Sequence, residues 1–461
     1  MLRSRAQESK GHTHTFTDYT MATPRPSSDV AARTRTRIMR RLIPFLFVVY
    51  IINYLDRVNV SYAALEMTQE LNFTAEVFGF GAGIFFVGYF LLEVPGTLLV
   101  ELWSARKWIA RIMITWGIVA VMMGFMNSAT QFYWLRLALG AAEAGFFPGI
   151  IVYLTHWFRY QDRAKAVAWF MAAVPLSSFI GAPVSGLLLG VRWFGLAGWR
   201  WLFILEGAPA IILGVVTIFY LTDWPHQAKW LAADERDWIS KELARETDLK
   251  TAERSFKVLE ALRDREVMVL TLAYFFIVTS LYGFSFWIPT IIKSLSGLPN
   301  LTVTLITALP YLIAFVAMVF AGWSSDLKSE RRWHTAIPMF IAGAGLLSSA
   351  AAQGSTPLAV GMFCLAAAGL YSFLPSFWAL PTTFLAGPAA AASIGLINSL
   401  GNLGGFVGPY VVGYLNARTN SFMAGMLYLS TSAIIGGLLI LAVRGARGHN
   451  RSFEASLEQR R

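Results

Sequence analysis

Four ionisable residues stand in apolar stretches where charge is hard to accommodate: Asp56 and Arg57, adjacent in NYLDRVNVSY, and Arg136 and Glu143 in FYWLRLALGAAEAGFF. An ionised side chain at the centre of a bilayer costs about 2.5–3.5 kcal/mol on insertion scales, so such groups persist where they face a cavity or one another. Arg136 and Glu143 are seven residues apart, nearly two helical turns, which sets both on one face about 10 Å apart. Asp56 and Arg57 diverge by about 100° around their helix, so they cannot both point straight into one cavity, though long side chains can lean. Asp56 is expected to lie toward the helix that carries Arg136 and Glu143.

Such a set suits the joint binding of an organic anion and protons. With both acids ionised, the four charges sum to zero. A carboxylate guest makes the set negative in a low-dielectric space and favours proton uptake by Asp56 and Glu143. A protonated Glu143 then frees Arg136, whose planar fork can offer two donors to a carboxylate. The candidate proton-coupling residues are therefore Asp56 and Glu143, and the candidate anion ligand is Arg136. Further along the chain, Asn398 and Asn402 share one helix face and can donate to a substrate. Tyr282 and Trp287 are candidates for an aromatic wall. Glu93 and Glu206 have no evident cavity partner in the sequence and are expected to be structural. Gly79, Gly81 and Gly83 fall inside an apolar run rather than after a strand, which argues for helix packing over a nucleotide loop. No metal site, cofactor motif or nucleophile–base constellation is evident, and no enzymatic activity is expected. No histidine is placed at mid-span, so a histidine proton relay is not expected either.

These residues have to be held by elements that cross a membrane. The 461 residues are 56% hydrophobic and 14% charged, with a mean hydropathy of +0.53, outside the range of soluble domains. The net charge of +11 does not imply nucleic acid, because the basic residues lie between apolar runs instead of on one water-facing patch. The single cysteine, Cys364, excludes an intramolecular disulfide framework. Windows of bilayer-spanning length, roughly 20 residues, fall at 42–65, 76–100, 108–127, 132–156, 166–190, 200–222, 267–292, 301–322, 335–353, 358–384, 390–415 and 422–443. The expected architecture is all-α: twelve transmembrane helices, in an amino-terminal half over 41–222 and a carboxyl-terminal half over 267–443. A charged cytoplasmic linker with a surface helix is expected over 223–266, and cytosolic tails over 1–40, disordered, and 444–461. Most of the 38 Lys and Arg lie in the tails, the linker and the loops on their side, whereas the opposite loops hold only Arg192, Arg200, Lys293 and Arg418. By the positive-inside rule both termini are cytoplasmic. Gly96 to Arg106 (GTLLVELWSAR) and Gly322 to Arg332 (GWSSDLKSERR) repeat one spacing after the second span of each half, as expected of a transporter built from two related halves. Arg106, Asp326, Arg331 and Arg332 are the candidate cytoplasmic gate.

GWSSDLKSERR resembles the loop motif of the major facilitator superfamily; the first copy departs from it, with Glu101 displaced by one and Ser104 in place of the usual Gly. Within that superfamily the chain is similar to the anion:cation symporter family through NYLDRVNVSYAALEM, GAAEAGFFPG, GWRWLFILEGAPA and DWPHQAKWL, over about residues 40 to 440. The resemblance implies uptake of sugar acids, tartrate or aromatic acids with protons. It implies substrate and proton roles for Tyr54, Asp56, Arg57, Arg136 and Glu143, and second-half substrate contacts at Ser376, Trp378 and Asn398. The expected protein is a monomeric, multi-pass secondary transporter of the cell membrane that imports a carboxylate anion with protons, the bilayer being its other partner. The competing expectations are an anion sensor on the same scaffold and a uniporter or exchanger without proton coupling.

Overall fold

A computed structural model describes residues 28–252, 264–352, 354–381 and 387–443, and every long element in them is helical. The helices are α1 (Ser28–Glu70), α2 (Ala75–Leu102), α3 (Ala105–Met123), α4 (Ala129–Glu143), α5 (Phe146–Thr155), α6 (Tyr160–Met171), α7 (Ala173–Leu189), α8 (Gly198–Tyr220) and α9 (Ala233–Ala252). After the linker come α10 (Arg265–Ser296), α11 (Asn300–Lys328), α12 (Trp333–Ala351), α13 (Thr356–Ala379), α14 (Gly387–Gly401), α15 (Gly404–Thr419) and α16 (Met423–Ala442). In a bilayer the backbone must satisfy its own hydrogen bonds, and helices do this within one segment.

Ten segments among the described residues are long and apolar enough to cross a membrane: α1, α2, α4 with α5, α6 with α7, α8, α10, α11, α12, α13 and α16. The two other expected spans fall on α3 and on α14 with α15. α3 carries Arg106, Lys107 and Arg111 in its first turns, and α14 and α15 are each short because the helix breaks at Asn402 and Leu403.

The expected disordered tail over 1–40 needs correction, because α1 is already helical from Ser28. Arg33 reaches Asp234 at 2.6 Å and Glu235 at 2.9 Å, and Arg37 reaches Glu235 at 2.6 Å, so the first turns of α1 are tied to α9, the surface helix of the linker. Residues 1–27 and 444–461 lie outside the described residues. The linker is fastened at its start as well, since Asp223 accepts from Ser104 Oγ at 2.9 Å and from the Arg106 N–H at 2.8 Å, capping α3.

α1 and α10 lie against each other at the centre, with α7 and α8 flanking α1 and α14, α15 and α16 flanking α10. Two further seams join the amino-terminal and carboxyl-terminal helices, α2 with α15 and α7 with α11. At the end of the molecule away from the linker these seams are tight. A Cβ added at Gly79 would lie 2.5 Å from Pro409 O, and one added at Gly413 would lie 2.4 Å from Ala75 O. Small residues let backbones approach this closely.

Candidate functional site

Three of the expected spans are interrupted, and residues at or next to all three breaks line one cavity. Residues 132–156, expected as one span, divide at Ala144 and Gly145; Gly145 has φ +82, a left-handed conformation open to glycine without strain. Ala172 separates α6 from α7, and Asn402 and Leu403 separate α14 from α15. Glu143 ends the helix before the first break, Met171 and Val174 flank the second, and Asn402 occupies the third. The cavity is lined by Tyr50, Tyr54, Arg57 and Tyr89 from the amino-terminal helices and by Tyr274, Tyr282, Trp378, Asn398 and Asn402 from the carboxyl-terminal ones. It has about 50 Å³ of free space, room for a few waters at about 10–15 Å³ each.

Arg57 is the one ionisable Lys, Arg, Asp or Glu among the lining residues described. Its Nη2 donates to Glu143 Oε2 at 2.9 Å and its Nε to the same oxygen at 3.3 Å, while Nη1 reaches Tyr282 Oη at 3.4 Å. The guanidinium lies 5.3 Å from the Phe85 ring centroid and 5.2 Å from that of Tyr89, within the range of cation–π attraction. Asn53 Nδ2 donates to the same Glu143 oxygen at 3.0 Å. Glu143 and Arg136 are fully buried, and Arg57 is nearly so. Removing one member of a buried pair leaves an uncompensated charge, typically at a cost of about 3–5 kcal/mol.

The structure therefore gives Glu143 a different partner from the one expected. Arg136 donates from Nη2 to Ala82 O at 3.0 Å and from Nε to Gly81 O at 3.4 Å, both on α2, and lies 4.9 Å from the Phe85 ring. It binds the α2 backbone because small residues there bring carbonyls close to α4; a Cβ at Gly140 would lie 1.9 Å from Phe85 O. Asp56 likewise turns away from α4. Its Oδ2 accepts from Trp116 Nε1 on α3 at 2.9 Å and its Oδ1 from Asn59 Nδ2 at 3.4 Å. The 100° step between Asp56 and Arg57 operates as expected, but Arg57 takes the cavity side.

Of the carboxyl-terminal candidates, Trp378, Asn398 and Asn402 line the cavity, whereas Ser376 is buried outside the lining set. Tyr54 lines it from α1. Tyr282 forms wall as expected, but Trp287 does not. Its Nε1 donates to Pro409 O at 3.0 Å and its ring meets Phe78 edge-on at 5.0 Å, within the tight seam away from the linker. Sequence reasoning took Glu93 as structural and missed its partner. Its carboxylate on α2 accepts a hydrogen bond from Asn398 Nδ2 on α14, joining the amino-terminal and carboxyl-terminal helices beside the cavity. A lone acid in an apolar span was the available signal; that its partner would come from a residue 305 positions away was not. Glu206 accepts from Ser185 Oγ at 2.7 Å inside the amino-terminal helices. Tyr50, Tyr89 and Tyr274 were also missed.

The four candidate gate residues lie at the linker end. Asp326 pairs with Arg331 at 2.6 Å, Arg331 also donates to Ser325 Oγ at 2.9 Å, Arg332 is half-buried beside them, and Arg106 meets Asp223. Among the described residues no His, Cys, Asp and Glu cluster could hold a metal ion.

The profile of the Major Facilitator Superfamily matches residues 46–409. A protein of Agrobacterium vitis assigned by name to tartrate transport is 48% identical over 403 residues, covering 87% of this chain and 92% of that one. The metabolite transport protein NicT of Pseudomonas putida is 40% identical and covers 85% and 90% of the two chains. Among solved structures, a bacterial homologue of the human lysosomal transporter Spinster, inward-facing and unoccupied, superposes with a TM-score of 0.69 at 16% identity, covering 89% of this chain and 95% of that one. That last likeness concerns the fold.

Proposed function

Since the chain belongs to the Major Facilitator Superfamily and is a multi-pass membrane transporter rather than an enzyme, we propose that it carries a small organic acid anion across the membrane together with protons. One observation carries this reading: the cationic group at the cavity wall, Arg57, is held by a carboxylate, Glu143, and both side chains are buried. An entering carboxylate competes with Glu143 for the Arg57 fork. Glu143, deprived of its cation in a low-dielectric space, becomes neutral by taking a proton. Anion and proton binding are then linked, and each favours the other. Arg136, two turns before Glu143 on α4, adds a fixed positive field behind it. Asp56, held by Trp116 rather than by a cation, is the second candidate proton acceptor.

Tyr54, Trp378, Asn398 and Asn402 contribute shape and donors, so the anion class is set largely by the carboxyl-terminal wall. The relatives named for tartrate and metabolite transport favour a small carboxylate. In this reading the amino-terminal and carboxyl-terminal helices are two six-helix halves, twelve spans in all, with both termini and the linker cytoplasmic. In the same reading the tight approaches at Gly79 and Gly413 close the end away from the linker, and rocking of the halves opens each end of the site in turn. The Glu93 to Asn398 bond belongs to the part of that cycle in which the halves meet beside the cavity.

The test is uptake into proteoliposomes of labelled tartrate, a sugar acid and an aromatic acid, with and without a pH gradient. Accumulation of one acid that collapses with the gradient supports the proposal. Binding without uptake would make the protein a sensor, and uptake indifferent to pH would make it a uniporter or exchanger.

A further inference from the structure

At the linker end, where the apolar run of α1 begins, lies a second and larger recess of about 700 Å³, lined by Arg33, Arg37, Arg40, Arg41, Tyr220 and Trp230 together with Asp29, Ala32 and Thr36. Its arginines are not equivalent. Arg33 and Arg37 are neutralised by Asp234 and Glu235 of α9, and Arg35, outside the recess, lies 3.7 Å from Asp162. Among the described residues no carboxylate lies within ion-pair distance of Arg40 or Arg41. The Arg41 guanidinium is sandwiched between aromatic rings, 4.5 Å from Tyr220 and 5.0 Å from Trp230, which fixes it, while its buried Nε finds no acceptor. Arg40 is exposed at the rim.

We propose that this recess binds the phosphate group of an acidic membrane lipid. Phosphate chemistry follows from two uncompensated guanidiniums, since the planar fork matches phosphate oxygens and a buried Nε lacks an acceptor. The lipid source follows from what lies below. Phe45 stacks on Tyr220 at 4.5 Å, and one turn deeper Val48 on α1 and Val216 on α8 are 47% and 38% exposed, with Phe219 81% exposed beside them. This outward apolar strip continues directly from the basic recess, so a headgroup at Arg40 and Arg41 lays its acyl chains along it. Tyr and Trp beneath a basic cluster suit the headgroup level of a bilayer. Through α1, which also carries Arg57, and through the Arg33 and Arg37 ties to α9, the site reaches both the cavity and the linker.

The experiment uses the full chain in nanodiscs of phosphatidylcholine containing a minority of phosphatidylglycerol, with retained lipid counted by native mass spectrometry after delipidation. Wild type should retain phosphatidylglycerol over phosphatidylcholine. Retention should fall roughly fivefold for each arginine lost in Arg40→Gln and Arg41→Gln, and less at high salt for the exposed Arg40 alone. Arg41→Lys keeps the charge and guards against a folding defect from lost stacking. Arg265→Gln, a basic residue on the same end but outside the recess, should retain lipid as wild type does. Equal retention of the two lipids, or wild-type retention in the Arg40→Gln/Arg41→Gln double variant, overturns the proposal. So does displacement of phosphatidylglycerol by millimolar inorganic phosphate, which would make a soluble anion the ligand.

Discussion

The amino-terminal and carboxyl-terminal helices bury polar groups of different kinds. α1–α8 enclose Asp56, Arg57, Glu93, Arg136, Glu143 and Glu206, whereas the buried polar side chains described in α10–α16 are hydroxyls and amides, among them Thr279, Ser280, Ser285, Asn398 and Asn402. Burying an ion costs several kcal/mol unless it is paired, and burying a hydroxyl or amide costs far less once it is hydrogen-bonded. The first set can therefore change its charge state when a charged guest arrives, and the second cannot. In the proposed cycle one set of helices senses charge and the other shapes the space, and they meet where Arg57 approaches Tyr282 and Glu93 meets Asn398.

That contrast is broken most directly at Arg57. Arg57→Ala leaves Glu143 buried without its cation and should lower initial uptake by about a hundredfold or more, equivalent to about 3 kcal/mol. Near-normal uptake in protein verified as folded would remove the charge-sensing role. Glu143→Gln separates the two ligands: counterflow of preloaded substrate should survive within a few-fold while gradient-driven accumulation disappears. Gly413→Leu probes the seam instead of the charges. Its side chain would meet Ala75 O, where a Cβ already lies 2.4 Å away, so closure away from the linker should fail. Accumulation should drop about tenfold, by analogy with the cost of overpacking, while equilibrium substrate binding measured by calorimetry changes little. Asn398→Ala sharpens the comparison from the other side, with a several-fold change in preference among carboxylates and no change in pH dependence. An unaltered preference would detach Asn398 from the cavity's selectivity.

The smallest effect is expected outside the membrane. Partial burial opposes ionisation of Glu330, yet the backbone N–H groups of Trp333 and His334, with the His334 ring, outweigh it and hold the carboxyl below its ordinary range. A lowered value in the folded state contributes stability above the unfolded carboxyl's pKa, near 4.3, and loses it as pH falls through the folded value. Glu330→Gln should therefore destabilise by about 1 kcal/mol at neutral pH, the typical worth of a cap. Its melting temperature should converge on that of wild type as the buffer is acidified below pH 4.

Much of the fold is legible along the chain. Runs of apolar residues long enough for a bilayer coincide with the ten membrane-length segments among the described residues, and a helix, α9, lies in the charged interval after α8. The start of α1 is less legible, because the helix over residues 28–40 depends on ion pairs to Glu235, a residue about 200 positions away. The breaks at Ala144 and at Asn402 are also hidden, since an apolar run reads the same whether or not its helix is interrupted.

By itself, the sequence determined that Asp56, Arg57, Arg136 and Glu143 stand in apolar surroundings and that Asp56 and Arg57 diverge by about 100°, because hydropathy and the 3.6-residue turn are local properties. Only the tertiary structure decided that Arg57 rather than Arg136 holds Glu143, that Asp56 belongs to Trp116, and that Glu93 reaches Asn398. A helix fixes the angle between its own side chains. Which neighbouring helix stands at that angle depends on backbone approach at small residues tens to hundreds of positions apart, and the pattern along one chain carries no record of it.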